Sequence, residues 1–144
     1  MARLPKKIQD ELDALSEQGN VLCDASKFDE AIQRWSAALE LLPEPRVDWE
    51  AYTWLFASIG DAQYQLEEFE AARQSFFDAL NGPGGQENPF VHYRLGQSQV
   101  SLGDEEHGVA SLLKAYMLDG EEIFDEDDEG EKYLQMLRDR KLVG

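Results

Sequence analysis

A grid of small and large residues recurs three times along the chain and restricts its fold more than any other feature. Gly19, Gly60 and Gly96 each stand twelve positions before a small residue: Ala31, Ala72 and Gly108. Four residues later comes a bulky side chain (Trp35, Phe76 or Leu112), and three beyond that an alanine (Ala38, Ala79 or Ala115). Glycine in one helix and alanine in the next let two helices approach closely, where a larger side chain would force them apart. The bulky positions fill the remaining space and bridge to the following pair. A helix pair of this size cannot bury its apolar face alone, so the grid predicts a stack of repeated hairpins.

Helical spacing runs through each copy. Ile8, Leu12, Leu15 and Leu22 mark the first helix, and Ala31, Ile32, Trp35, Ala38, Leu39 and Leu42 the second. Phe28 plugs the turn between them, and either Ser26 or Asp29 can cap the second helix. Pro43 and Pro45 end the unit because proline lacks the backbone donor. The second unit carries Tyr52, Leu55, Phe56, Ile59, Ala62 and Leu66, turns at Glu67–Glu68, and resumes with Phe69, Ala72, Phe76, Ala79 and Leu80. Gly82-Pro83-Gly84-Gly85 stops it. Asn88-Pro89 opens the third, as a cap followed by a first-turn proline, and Gly103-Asp104 divides its two helices. The expected units are 8–43, 48–83 and 88–119 of a single domain, 1–144. An acidic loop over 120–131 follows, then a capping helix over 131–143 built on Tyr133, Leu134, Leu137 and Leu142. A stack leaves its last apolar face open, which is why a cap is expected.

The signature positions Gly19, Phe28, Ala31, Trp35, Ala38 and Pro43, then Gly60, Phe69, Ala72, Phe76 and Ala79, and more loosely Leu95, Gly96, Gly108 and Ala115, resemble the tetratricopeptide repeat (TPR) family. The resemblance spans roughly Leu12 to Gly120. It implies an all-α fold, a right-handed superhelical stack of three TPR hairpins closed by the C-terminal helix. There are departures. Gln18 and Gln63 stand where the family has leucine and tyrosine, and Gly108 replaces a near-constant alanine, at a helix-propensity cost of up to ~1 kcal/mol.

The same resemblance implies a concave groove lined by the first helix of each pair. Carried over by position, the lining is Asp13, Ser16, Asn20 and Asp24, then Trp54, Ala57, Asp61 and Tyr64, then Phe90, Tyr93, Gln97 and Val100. Aromatics beside carboxylates suit a partner bearing Lys or Arg, through cation–π and charge contacts. Trp49 and Tyr52 either flank this groove or belong to the core. Some relatives of this type clamp a C-terminal carboxylate. Asn20 and Arg94 match that pattern, but Ser16, Ser58 and Phe90 stand at its other polar and basic positions, so the clamp is broken.

The chain has 30 Asp and Glu against 13 Lys and Arg, a formal net charge of −17. Such a field repels nucleic acid and anionic membranes and draws basic proteins. The sole cysteine, Cys23, excludes an internal disulfide framework, and its neighbour Asp24 disfavours a reactive thiolate. No leader peptide or membrane span is expected, which places the chain in the cytoplasm. Asp125-Glu126-Asp127-Asp128-Glu129-Gly130 resembles half of an EF-hand loop, but Met136 holds the place of the bidentate glutamate, so a solvated acidic loop is expected. His92 and His107 lack a nucleophile or a metal-ligand set: His92 is expected packed and His107 exposed. No phosphate loop and no HExxH stretch is present.

These features point to a non-catalytic, monomeric binding protein with no cofactor or metal. Its partner would be a basic protein: a toxin neutralised by an immunity or antitoxin protein, or a secreted effector. The overall pattern is similar to small stand-alone TPR proteins encoded beside polymorphic toxins. The alternative is a chaperone or adaptor of a secretion or multiprotein complex, since class II type III secretion chaperones are likewise small acidic three-unit TPR proteins.

Overall fold

Amphipathic spacing and proline placement produce eight helices in the computed structural model, which describes residues 3–144. They are α1 (Lys6–Asp24), α2 (Phe28–Glu40), α3 (Glu50–Gln65), α4 (Phe69–Asn81), α5 (Pro89–Ser101), α6 (Glu105–Asp119), the single-turn α7 (Glu122–Asp125) and α8 (Gly130–Asp139). A short 3₁₀ turn, Arg46–Asp48, leads into α3. The described residues contain no strand. α1 pairs with α2, α3 with α4 and α5 with α6 to form three hairpins, and α2 packs on α3 and α4 on α5 to link them. The result is an all-helical, TPR-like stack.

The grid acquires a direct meaning here. A side chain added at Gly60 would begin 2.9 Å from the Phe76 ring, and one at Gly96 would begin 2.8 Å from Leu112 Cγ. One at Gly19 would enter the Trp35 indole. Each glycine therefore faces the bulky residue of its own hairpin, and Trp35 also donates from Nε1 to the Ser16 carbonyl at 3.4 Å. Gly108 is explained as well. A Cβ there would meet Val100 and come within 3.0 Å of the Gly96 carbonyl, so α5 and α6 touch backbone to backbone. The missing methyl is a packing requirement of this hairpin, not a weakness in it.

The three hairpin turns share one geometry. Lys27 N–H bonds the Leu22 carbonyl, Glu68 N–H that of Gln63, and Asp104 N–H that of Gln99. These are Schellman turns, which require a left-handed residue after the helix. Ser26, Glu67 and Gly103 fill that place, with φ of +60°, +60° and +86°. Ser26 is thereby committed to the turn. Neither it nor Asp29 caps α2, whose start at Lys27 has no side-chain cap. Asn88 does cap α5, accepting from Phe90 N–H at 3.0 Å. Gln63, the departure noted in sequence, accepts from Ser75 Oγ at 2.6 Å, and Gln99 accepts from Ser111 Oγ at 2.7 Å in the next hairpin. These matched bonds tie α3 to α4 and α5 to α6.

Packing follows the stack. Leu12, Trp35, Leu39, Leu55 and Ile59 form the first interior; Phe76, Val91 and Leu95 the second; Leu112, Phe124, Tyr133, Leu134 and Leu137 the third. The segment expected as a solvated acidic loop differs from that expectation. Ile123 and Phe124 fold into α7 and are buried, because the last hairpin has apolar surface that only they and α8 can cover.

Candidate functional site

The first helices of the three hairpins, α1, α3 and α5, present the residues expected along a binding wall. Helical spacing brings Trp54, Asp61 and Tyr64 onto one face of α3, and Phe90, Arg94 and Gln97 onto one face of α5. The two faces meet at Arg94. Its Nε donates to Asp61 Oδ1 at 2.9 Å, and its Nη1 to Gln97 Oε1 at 2.7 Å and to Asp127 Oδ2 at 3.3 Å. The guanidinium lies 4.8 Å from the centre of the Tyr64 ring and 5.5 Å from that of Phe90. The aromatic and carboxylate cage expected to receive a partner's cation thus holds a cation of the chain's own.

Asp127 closes the arrangement from the other side. Its Oδ2 accepts from Gln97 Nε2 at 2.7 Å and from Tyr93 Oη at 2.9 Å. Burial alone would raise its pKa, but the bonds from Gln97, Tyr93 and the Glu129 N–H, together with Arg94, hold the carboxyl below its ordinary value. Burial, followed by the bond to Asp127, pushes the Tyr93 phenol upward, so it stays a neutral donor. Phe124 and Tyr133 stand edge-on to Tyr93, with centroids 5.1 and 6.4 Å away.

Tyr93 and Gln97 were expected on an open wall. They are 2% and 0% exposed, because α7, Asp127 and α8 lie over them. Opening that cover would expose Ile123, Phe124, Tyr133, Leu134 and Leu137, all buried. At ~1.5–3 kcal/mol per side chain the cost is on the order of 10 kcal/mol, as large as the whole stability of an ordinary domain. The C-terminal segment is therefore a permanent wall. Phe90 and Tyr64 remain half-buried beneath Arg94, and Val100 is half-buried. Ser16 and Ala57 are turned inward, Ser16 bonding the Leu12 carbonyl at 2.7 Å.

The other half stays open. Asp13, Asn20 and Asp24 are exposed along α1. Trp54, 40% exposed, borders a cleft of about 710 Å³ between the first turns of α1 and α3, with Leu4, Leu12, Trp49 and Ala51 on its walls. Trp49 belongs to this cleft and is fixed by donating from Nε1 to the Pro43 carbonyl at 2.8 Å. Tyr52 instead packs edge-on against Phe56, 4.7 Å away. At the far end of the open wall, burial and then Asp61 and Asp24 raise the Cys23 thiol, which keeps it protonated and unreactive.

Two further expectations concern the histidines. His92 is buried and donates to the Gln86 carbonyl at 2.9 Å, and burial lowers its pKa. His107 is exposed beside Asp104, 2.8 Å away. Among the described residues no cluster of three His, Cys, Asp or Glu side chains could hold a metal ion, and no helix is long and apolar enough to cross a membrane. The residue that sequence reasoning undervalued is Arg94. It is one of only 13 cations in the chain, placed among aromatics at helical spacing, and that pattern was the available signal.

No protein-family model matches the chain, and no curated protein matches it. Solved structures do. The crystal structure of MamA superposes with a TM-score of 0.63 at 18% identity, over 90% of this chain and 78% of that one. At that identity the likeness is one of fold alone, that of a TPR-like helical stack.

Proposed function

We propose that the chain binds a basic protein segment along α1 and α3, and that it does so as an immunity or antitoxin protein neutralising a basic toxin. The observation that carries this reading is the exposed Trp54 beside a cleft whose lining holds Asp48 and Glu50 as well as Arg3 and Lys6, with Asp13 and Asp24 exposed farther along α1. An indole is the strongest cation–π partner among side chains, and aromatic anchors dominate the energetics of protein interfaces. The net charge of −17 supports a basic partner by steering it from a distance. Closure of the other half by the chain's own tail leaves the contact to Trp54, Asp13, Asn20 and Asp24, with Asp61, Tyr64, Phe90, Tyr93 and Gln97 holding the wall in shape.

The test is capture of partners from the native cell with the full chain, followed by titration of the captured protein against Trp54→Ala and Asp13→Lys/Asp24→Lys. Each change is expected to weaken binding by about tenfold or more, and the partner's activity is expected to stop at one equivalent. An acidic partner, or binding indifferent to both variants, defeats the proposal. A basic partner that stays active when bound makes the chain a chaperone or adaptor instead.

A further inference from the structure

The outer side of the stack carries a second groove. It runs between α4 and α6 with α5 as its floor, and has a volume of about 470 Å³, within the range of ligand-sized clefts. Phe77, Leu80 and Leu95 give it an apolar base, with Phe77 40% exposed. Arg73 from α4, His107 and Lys114 from α6 and the buried His92 from α5 line it. Asp104 is the single carboxylate among the described residues that line it, and it is already engaged by His107 Nδ1 and by the first turn of α6. Arg73 is bonded to Glu70 on its own helix, whereas Lys114 has no ion pair among the described residues.

This lining inverts the chain as a whole, in which acids outnumber Lys and Arg by 30 to 13. From that local inversion we infer that the α4–α6 groove is a second docking surface, for an acidic segment of a partner protein that carries an apolar side chain. The apolar residue seats on Phe77, Leu80 and Leu95, and its neighbouring carboxylates reach Lys114, Arg73 and His107. Screening confines these charges to about 8–10 Å, so a short acidic segment feels the groove. A long polyanion such as a nucleic acid would run onto the acidic remainder of the surface and be repelled. The inference is independent of the wall at α1 and α3, because the groove opens on the other side of α5.

The probe is a synthetic peptide alternating leucine with aspartate and glutamate, compared with a version bearing lysine at every acid, each titrated into the isotopically labelled full chain by NMR. The acidic peptide is expected to shift amides around Phe77, His107 and Lys114, and the lysine peptide to leave them unmoved. Arg73→Glu/Lys114→Glu is expected to weaken the acidic peptide about tenfold or more, while Trp54→Ala leaves it unchanged. Phe77→Ser serves as a second variant should the double change unfold. No shift in the groove up to about 1 mM peptide, a threshold for weak binding, would overturn the inference. So would equal shifts with the lysine peptide or with polyphosphate, or the same shifts appearing when the free chain is concentrated, which would make a second copy the occupant.

Discussion

Ser26 and Glu67 hold a backbone conformation, φ near +60°, that suits glycine, and Gly103 holds the same place in the third hairpin. A Cβ in the left-handed region costs about 1–2 kcal/mol, and glycine returns part of that through the freedom it adds to the unfolded chain. Ser26→Gly and Glu67→Gly are each expected to raise stability by about 0.5 kcal/mol and Gly103→Ala to lower it by about 1 kcal/mol, read from urea unfolding. A second contrast sits at Gly108. Helix propensity alone makes Gly108→Ala stabilising by up to ~1 kcal/mol. The contact with Val100 and the Gly96 backbone reverses the sign, and a loss of about 1–2 kcal/mol is expected from overpacking. A rise in the urea midpoint would show that α5 and α6 can separate freely. At this scale the glycines are legible and their partners are not: Gly19, Gly60 and Gly96 are visible as a pattern, while the backbone approach at Gly108 belongs to the folded hairpin.

Among the elements, the tail from α7 to α8 has the greatest consequence. It converts part of an expected groove into interior, and Asp127 is its polar pin. Because the folded carboxyl titrates below its unfolded value, its contribution is fully present above about pH 4 and is lost as pH falls through the folded pKa. Asp127→Asn is expected to cost about 1 kcal/mol at pH 7. That deficit against the native chain should shrink as pH falls below the ordinary carboxylate range, measured by urea unfolding at a series of pH values. A deficit independent of pH would mean that shape, not charge, fixes the segment. The segment was partly legible: Tyr133, Leu134 and Leu137 announce a capping helix. The inward turn of Asp127 was not, since its partners Gln97 and Tyr93 lie 30 and 34 residues away and an acidic run ordinarily stays in solvent.

For the molecule as a whole, charge and capping set the terms. The ion pairs away from the Arg94 cage are exposed or half-exposed, and such pairs contribute ~0–1 kcal/mol each. Self-repulsion from a net charge of −17 acts on every element at once. Raising NaCl from low to moderate concentration is therefore expected to raise the thermal midpoint, while weakening a basic partner. A fall in the midpoint would mean that the ion pairs outweigh the repulsion. Ending the chain at Gly120 removes the cover of the third interior, and loss of near-UV circular dichroism with onset of association is the expected result, because a stack without its cap exposes an apolar face.

Sequence alone determined that the chain is helical, how many hairpins it has, where they turn, and that a cap must follow, because each of those follows from local spacing and from glycine and proline chemistry within one or two turns of chain. Which face stays open was decided only by tertiary structure. The aromatics and acids of the expected groove were identified as residues, but their availability depended on Arg94, Asp127 and α8 arriving from distant parts of the chain. Long-range packing of the tail sealed the third hairpin and left the wall at α1 and α3, and the groove between α4 and α6, facing solvent.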